Sequence, residues 1–196
     1  MQLEFRVATI EDAPLASRLV VAGWRDSYAG FLPAALLDGL DRNPRHDAEA
    51  WSALIAVASA RTWIVSEDGR DIGIARLDLS SSIPDARSEL TTLYIDAAFR
   101  GRGIGAAALR FVSGEAKRLA TRRLGLCVLS GNIRGRRFYE RHGAHRIGER
   151  PVFEWDGQQI TEAMYVMGEK PMCIEFIPDG AEDAPRRPGP ATRQPR

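Results

Sequence analysis

Three glycines alternate with other residues in F-R-G-R-G-I-G-A-A, residues 99–107, and this stretch constrains the fold more than any other. The alternation in residues 88–96 predicts a strand before it, and apolar residues recur at helical spacing from Ala108 to Leu119 after it. Glycines at a strand-to-helix connection leave backbone N–H groups uncovered, and the helix dipole adds positive potential there. The stretch therefore predicts a chain of strands and helices whose backbone closely approaches an anionic group.

Strand and helix patterns alternate from residue 3 to about residue 168, which predicts a single mixed α/β (α+β) domain. Leu3, Phe5 and Val7 alternate with polar residues as in a half-buried strand. Thr9 and Asp12 predict the start of a helix that ends near residues 24–28. Further helices are predicted at 33–60, 104–119 and 134–141, strands at 62–67, 71–80 and 124–129, a hairpin turn at Asp68-Gly69, and a last hairpin over 152–167 turning at Asp156-Gly157.

The domain boundary is predicted from composition. Residues 1–170 form the expected domain, and residues 171–196 form a C-terminal extension. From Pro178 onward Pro, Gly, Ala and Arg dominate, so we expect this end of the extension to be disordered. The 27 Lys and Arg residues nearly balance the 26 Asp and Glu residues. No global field therefore favours nucleic acid or an anionic membrane as a partner.

Cysteine and histidine usage argues against a metal site or a disulfide framework. Cys127 and Cys173 lack metal-ligand spacing, and His46, His142 and His145 form no metal constellation. The sequence has no apolar run of about 18 residues, and its first residues carry acids rather than a long apolar block. We expect a soluble, cytoplasmic protein without a metal cofactor.

Two known phosphate-binding loops can be compared with the glycine stretch. Gly101, Gly103 and Ala106 fit the dinucleotide fingerprint G-x-G-x-x-G/A. However, the predicted strand ends near Ile95, so five residues, 96–100, separate it from the first glycine. The next strand ends in Ser130 and Gly131 without a carboxylate for a ribose. A Walker loop is excluded because Gly-Lys-Ser/Thr does not occur.

The register Arg100-x-x-Gly103-x-Gly105 resembles the pyrophosphate loop of the GNAT superfamily of acyl-CoA-dependent N-acyltransferases. The segment from Asn132 to Gly143, N-I-R-G-R-R-F-Y-E-R-H-G, resembles the Asn…Phe-Tyr-Glu-x-x-Gly segment of the same superfamily. Over residues 3–168 the resemblance implies a mixed, mostly antiparallel sheet of six to seven strands. Helices would flank both faces, and a splayed strand pair would hold acetyl-CoA. The chain departs from the family's pattern at Ala97, Gly135 and Ala144.

The resemblance also implies which residues bind the cofactor. The backbone of the strand before the loop would pair with the pantetheine amides, the loop would surround the diphosphate, and Asn132 would contact the pantetheine arm. The arginines at 134, 136, 137 and 141 would meet the CoA 3'-phosphate or solvent, and no interleaved aromatics suggest RNA binding. The implied cofactor-binding residues are Leu93, Tyr94, Ile95, Arg100, Gly101, Arg102, Gly103, Ile104, Gly105, Ala106, Asn132 and Tyr139.

Transfer of an acyl group to an amine needs a neutral nucleophile, a stabilised oxyanion and a proton for the thiolate. The resemblance implies that Tyr139, beside the cofactor sulfur, is the general acid. Glu89 begins the strand before the loop and is the leading candidate for the general base, with Glu162 in reserve. Some family members carry a glutamate five residues before the asparagine, where this chain has Cys127.

The sequence indicates less about the residues that bind the amine acceptor. Trp24 and Tyr28 are spaced i, i+4 on one helix face and either line the acceptor cleft or belong to the core. Asp26 and Asp78 are candidates to receive a cation. The resemblance implies an N-acetyltransferase that acts on a small-molecule or peptide amine and that can form a homodimer. The alternatives are a non-catalytic acyl-CoA-binding module and, less consistent with the loop, a nicotinamide-dependent oxidoreductase.

Overall fold

A computed structural model describes residues 2–119 and 123–168; the predicted extension at 171–196 lies outside the described residues. One seven-stranded sheet has the order β1-β2-β3-β4-β5-β7-β6. β4 and β5 are parallel, and the other neighbours are antiparallel. The predicted mixed, mostly antiparallel sheet is therefore confirmed. The strands are β1 (Leu3–Val7), β2 (Ala60–Glu67), β3 (Arg70–Asp78), β4 (Ser88–Ile95), β5 (Leu124–Leu129), β6 (Ala144–Trp155) and β7 (Gln158–Met167).

Helices cover both faces of the sheet, as predicted. On one face, Val20 and Trp51 pack against Ile64 and other apolar residues of β2 and β3. On the other face, Leu109 and Val112 pack against the central strands. The helices that carry these residues thus each bury an apolar stripe, as their 3.6-residue periodicity requires. The helices are α1 (Ala13–Tyr28), α2 (Ala34–Asp38), α3 (Ala48–Ala56), α4 (Ile104–Arg118) and α5 (Ile133–Arg141).

Two predicted elements differ from the structure. The single helix predicted over 33–60 is divided into α2, a 3₁₀ turn and α3. Pro44 cannot continue a helix, and Asp47 starts a new one by accepting a hydrogen bond from the Ala50 N–H at 2.8 Å. The last hairpin begins at Ala144 rather than 152, because Gly143 turns the chain directly from α5 into β6 with φ of 88°.

β4 and β5 separate along their length, which creates the opening at the centre of the sheet. They pair only from Ser88 to Leu90 and from Leu124 to Leu126. The register between β3 and β4 shifts just after this point, so Thr91 has no opposite residue. A bulge of this kind bends its strand, and here it coincides with the divergence of β4 from β5. The predicted splayed strand pair is confirmed.

Gly23 lets α1 pack directly on the ring of Tyr94. A Cβ at position 23 would lie 2.4 Å from Cγ of Tyr94, which no relaxed structure tolerates. We expect Gly23→Ala to lower the free energy of unfolding by about 1–3 kcal/mol. Gly114→Ala in α4 is the control, because its Cβ would meet open space and the helix should gain about 0.5–1 kcal/mol. Urea denaturation measures both, and equal stabilisation by the two substitutions would contradict the packing account.

Candidate active site

A cavity of about 530 Å³ opens between the diverging halves of β4 and β5, beneath the glycine loop. The ends of α1, α4 and α5 complete its wall. Residues from four separate parts of the sequence meet there. The predicted site residues that line it are Tyr28, Leu93, Tyr94, Ile95, Arg100, Gly101, Gly103, Ile104, Gly105, Ala106, Asn132 and Tyr139.

The glycine loop has the backbone conformation that the alternating glycines predict. Gly101 and Gly103 have φ angles of 73° and 78°, in the left-handed region that other residues disfavour. A Cβ at either position would meet nothing within 4 Å, so each glycine exposes bare backbone. Gly103 is the N-cap of α4, and Ile104 is buried behind it. The first N–H groups of α4 thus have no partners within the helix and favour an anion.

The free edge of β4 supplies backbone groups to the same cavity. Beyond Leu90, β4 pairs only with β3. The Asp96 N–H donates to the Ile72 carbonyl of β3 at 2.8 Å. Because backbone groups alternate along an antiparallel strand, those of Leu93 and Ile95 are directed toward the gap. An extended ligand with amide groups can pair with them as an added strand does.

Arg102, predicted to bind the cofactor, lies outside the cavity lining and contacts the end of β2. Its Nη1 and Nη2 each lie 2.8 Å from a carboxylate oxygen of Glu67. The Glu67 side chain is only 3% exposed, at the end of β2. The Arg102 guanidinium also lies 5.3 Å from the centroid of the Phe99 ring. This two-point contact fixes the glycine loop to the sheet.

We expect Glu67→Gln to weaken that attachment and lower the free energy of unfolding by about 1.5–3 kcal/mol, the range of one charge-assisted hydrogen bond. Glu115→Gln is the control, because it removes an i,i+3 pair with Arg118 on the exposed surface of α4. Such surface pairs contribute about 0–1 kcal/mol. Urea denaturation of both variants makes the comparison, and a smaller loss for Glu67→Gln than for Glu115→Gln would refute the anchoring role.

The two aspartates considered for an acceptor cation are both paired with arginines. The Asp26 carboxylate contacts the guanidinium groups of Arg100 and Arg134, the latter at 3.1 Å. Asp78 lies 2.8 Å from the buried Arg76. Arg100 and Arg134 both line the cavity, so they place positive charge beside the glycine loop.

Three tyrosines meet at the cavity wall. The hydroxyl groups of Tyr28 and Tyr94 lie 3.0 Å apart. Burial raises the pKa of Tyr139, and the neighbouring Tyr28 contributes in the same direction. Burial likewise raises the pKa of Tyr94 well above its ordinary value. An ordinary phenol is already protonated at neutral pH, and burial keeps these phenols so. Tyr139 therefore carries a proton within the cavity, although burial also makes it a weaker acid.

Asn132 both lines the cavity and caps α5. Its Oδ1 accepts a hydrogen bond from the Gly135 N–H at 2.8 Å. A Cβ at position 135 would lie 2.7 Å from the Asn132 Nδ2. The departure from the family's usual alanine at Gly135 thus leaves room for the Asn132 side chain in this cap.

Trp24 and Glu89 lie outside the residues that line the cavity. Trp24 packs edge-on against Tyr28, with ring centroids 4.8 Å apart, and belongs to the apolar core. Tyr28 therefore faces the cavity, and Trp24 packs behind the Tyr28 ring. The carboxylate of Glu89 accepts a hydrogen bond from the Ser81 hydroxyl at 2.9 Å. Burial raises the pKa of the Cys127 thiol, and the negative charge of Glu89 contributes in the same direction. Cys127 does line the cavity.

Several lining residues were not singled out as site residues from the sequence. Phe99 and Phe138 are part of the two quoted motifs, so the motifs themselves could have identified them. Ser27 enters because the end of α1 packs beside the opening, and the residues of β4 and β5 enter because these strands diverge. No local sequence pattern indicates either arrangement. These additional lining residues are Ser27, Leu90, Thr91, Thr92, Phe99, Cys127, Val128, Gly135, Phe138 and His142. Arg134 and Arg141, expected to meet the CoA 3'-phosphate or solvent, also line the cavity.

Within residues 2–119 and 123–168, no group of three His, Cys, Asp or Glu side chains is placed to hold a metal ion. No helix in those ranges is long and apolar enough to cross a membrane.

The fold is similar to that of several solved acetyltransferase structures. The N-acetyltransferase PaiA from Thermoplasma acidophilum, in complex with coenzyme A, has a TM-score of 0.68 at 19% identity over 86% of this chain and 100% of its own. An N-acetyltransferase from Staphylococcus aureus has a TM-score of 0.63 at 19% identity over 86% and 99%. An acetyltransferase from Thermus thermophilus has a TM-score of 0.61 at 20% identity over 85% and 96%. At these identities the likeness shows the fold alone.

The family follows from the sequence itself. The profile of the acetyltransferase (GNAT) family matches residues 21–144, which is more than half of the chain. The protein belongs to the acetyltransferase (GNAT) family. No significant match occurs among curated proteins. The resemblance inferred from the glycine loop and the Asn132 segment is confirmed, and both motifs lie within the matched residues.

Proposed function

We propose that this protein is an N-acetyltransferase that moves an acetyl group from acetyl-CoA to a primary amine by direct attack in a ternary complex. One observation carries the proposal: a protonated phenol, Tyr139, lies in the same cavity as the glycine loop and the free edge of β4. The loop and the strand edge would bind CoA, and the phenol would supply the proton that the leaving thiolate needs.

The cofactor would lie along the divergence of β4 and β5. The N–H groups of residues 103–106 and the Arg100 guanidinium would bind the diphosphate. The β4 edge at Leu93 and Ile95 would pair with the pantetheine amides, and one of these N–H groups would polarise the thioester carbonyl. That the PaiA N-acetyltransferase was solved with coenzyme A supports this choice of ligand.

The chemistry would divide between a carboxylate and a phenol. An alkyl ammonium with a pKa near ~10.4 needs a base, and we assign Glu89, acting through water, with Glu162 as second candidate. Tyr139 would give its proton to the leaving thiolate. Burial raises the pKa of the Cys127 thiol to about 12, so at neutral pH this cavity residue is protonated. A protonated thiol is a poor nucleophile, which supports direct transfer over an acyl-cysteine intermediate.

Calorimetric titration with acetyl-CoA, followed by thiol release against a panel of amines, tests the proposal. Saturable binding with amine-dependent thiol release is the expected result. Binding without release on any amine would favour the alternative, a non-catalytic acyl-CoA-binding module. A rise in melting temperature with NAD but not with CoA would overturn the identity of the ligand. A cytoplasmic location and a homodimer stay predictions.

A further inference from the structure

A polar cluster on the α1 face of the sheet surrounds Cys127, which lines the cavity. Along β5, Leu126 and Val128 pack in the core with α4, whereas Leu129 packs in the cluster containing Tyr28. Because side chains alternate along a strand, Cys127 shares the face of Leu129. Glu162 on β7 lies opposite Leu129 on β5 and opposite Arg150 on β6. The side chains of Glu162 and Arg150 therefore lie on this same face of the sheet.

Arg150 is held at two points, and its third nitrogen is directed toward the cavity wall. Its Nε donates to the Glu162 Oε1 at 2.8 Å, and its Nη1 donates to the Ser82 hydroxyl at 2.9 Å. Its Nη2 lies 3.6 Å from the Cys127 sulfur, and Cys127 lines the cavity. Arg150 itself lies outside the residues that line the cavity, so it reaches the cavity wall through Cys127. A thiol is a weak acceptor, and among the described residues Nη2, unlike Nε, has no hydrogen bond to a carboxylate.

The carboxylate of Glu89 completes the cluster on the same face. Glu89 lies opposite Gly125, two residues before Cys127 on β5. The loop between β3 and β4 packs Ile83 against Gly125 and brings Ser81 to the Glu89 carboxylate. A base and a guanidinium are thus placed on either side of Cys127.

We propose that this cluster is the acceptor subsite and that it selects an amine that also carries a carboxylate, that is, a free amino acid. The Nη2 edge of Arg150 binds the carboxylate through charge-assisted hydrogen bonds, while the amine faces Glu89 and the thioester. Glu162 and Ser82 orient the guanidinium. Arg150 is then a specificity-determining residue. This inference rests on the proposed function, because it names the acceptor of the same transfer.

The test compares amino acids with neutral counterparts that keep the same amine. Each common α-amino acid and several ω-amino acids are assayed beside their carboxamides for thiol release from acetyl-CoA. We expect the preferred acid to exceed its amide by about tenfold or more in kcat/KM, the factor expected for a charge-assisted hydrogen bond. Arg150→Gln should collapse this ratio toward one, and Arg150→Lys should restore part of it.

Arg146→Gln is the matched control. Arg146 lies on the same strand and also pairs with a glutamate, Glu149, but it lies opposite Tyr165, whose side chain packs in the α4 core. Its substitution should leave the acid-to-amide ratio unchanged. Circular dichroism and melting temperature confirm that each variant is folded.

The outcomes separate this inference from the proposed function. Thiol release with amides as fast as with acids, or an unchanged ratio in folded Arg150→Gln, overturns the subsite and leaves the transferase intact. Calorimetry with the same acid and amide pairs in the presence of CoA gives a second readout that does not need turnover. If the wild type binds an amino acid more tightly than its amide, and Arg150→Gln abolishes this difference in affinity, the subsite is supported. Equal affinity of the wild type for acid and amide overturns it.

Discussion

Gly103→Val is expected to abolish useful CoA binding, with a loss in affinity of about a hundredfold or more. Two charge-assisted hydrogen bonds from the loop would account for a loss of this size. The valine side chain would project into the open space that the diphosphate needs, where a Cβ now meets nothing within 4 Å. The φ angle of 78° also strains any β-branched residue, so the loop itself should shift.

Calorimetric titration with CoA measures this effect, and Gly114→Val provides the control. Gly114 lies in the interior of α4, where its Cβ would also meet open space but where the chain is helical. We expect that variant to bind CoA like the wild type. Unchanged affinity for CoA in a folded Gly103→Val variant would show that the glycine loop does not bind the cofactor.

Tyr139→Phe is expected to lower kcat by about ten- to a hundredfold while leaving acetyl-CoA affinity nearly unchanged. The substitution removes only the hydroxyl whose pKa burial raises, so the ring still packs in place. General acids usually contribute about 10²–10⁴ in rate. The lower end applies here because a thiol with a pKa near ~8.5 leaves with little assistance. Single-turnover thiol release with saturating acetyl-CoA isolates the chemical step.

Tyr165→Phe distinguishes a chemical role from a general effect on α5. The Tyr165 hydroxyl donates to Glu140 at 2.8 Å and lies 3.1 Å from Arg136 Nε, and both partners belong to α5. Its loss should cost about 1 kcal/mol of stability with little change in kcat. If Tyr139→Phe turned over at the wild-type rate under chemistry-limited conditions, Tyr139 would not be the acid.

Local chemistry determined much of this protein from the sequence alone. The turns at Asp68-Gly69 and Asp156-Gly157 form as predicted, because both positions of each turn adopt positive φ. The glycine loop and the cap at Asn132 follow from groups within a few residues of one another. Short-range steric and hydrogen-bonding rules are sufficient for such features, and they carried the family resemblance as well.

Long-range placement decided the rest. The sequence indicated that Arg102 carries charge at the loop, but its partner Glu67 is 35 residues away and buried by the sheet. Likewise, Trp24 and Tyr28 share one helix face, yet only Tyr28 lines the cavity. Arg150, Glu162 and Cys127 meet through the pairing of three strands. Periodicity determines which face of an element is apolar, whereas strand register and packing decide which side chains from distant segments share one site.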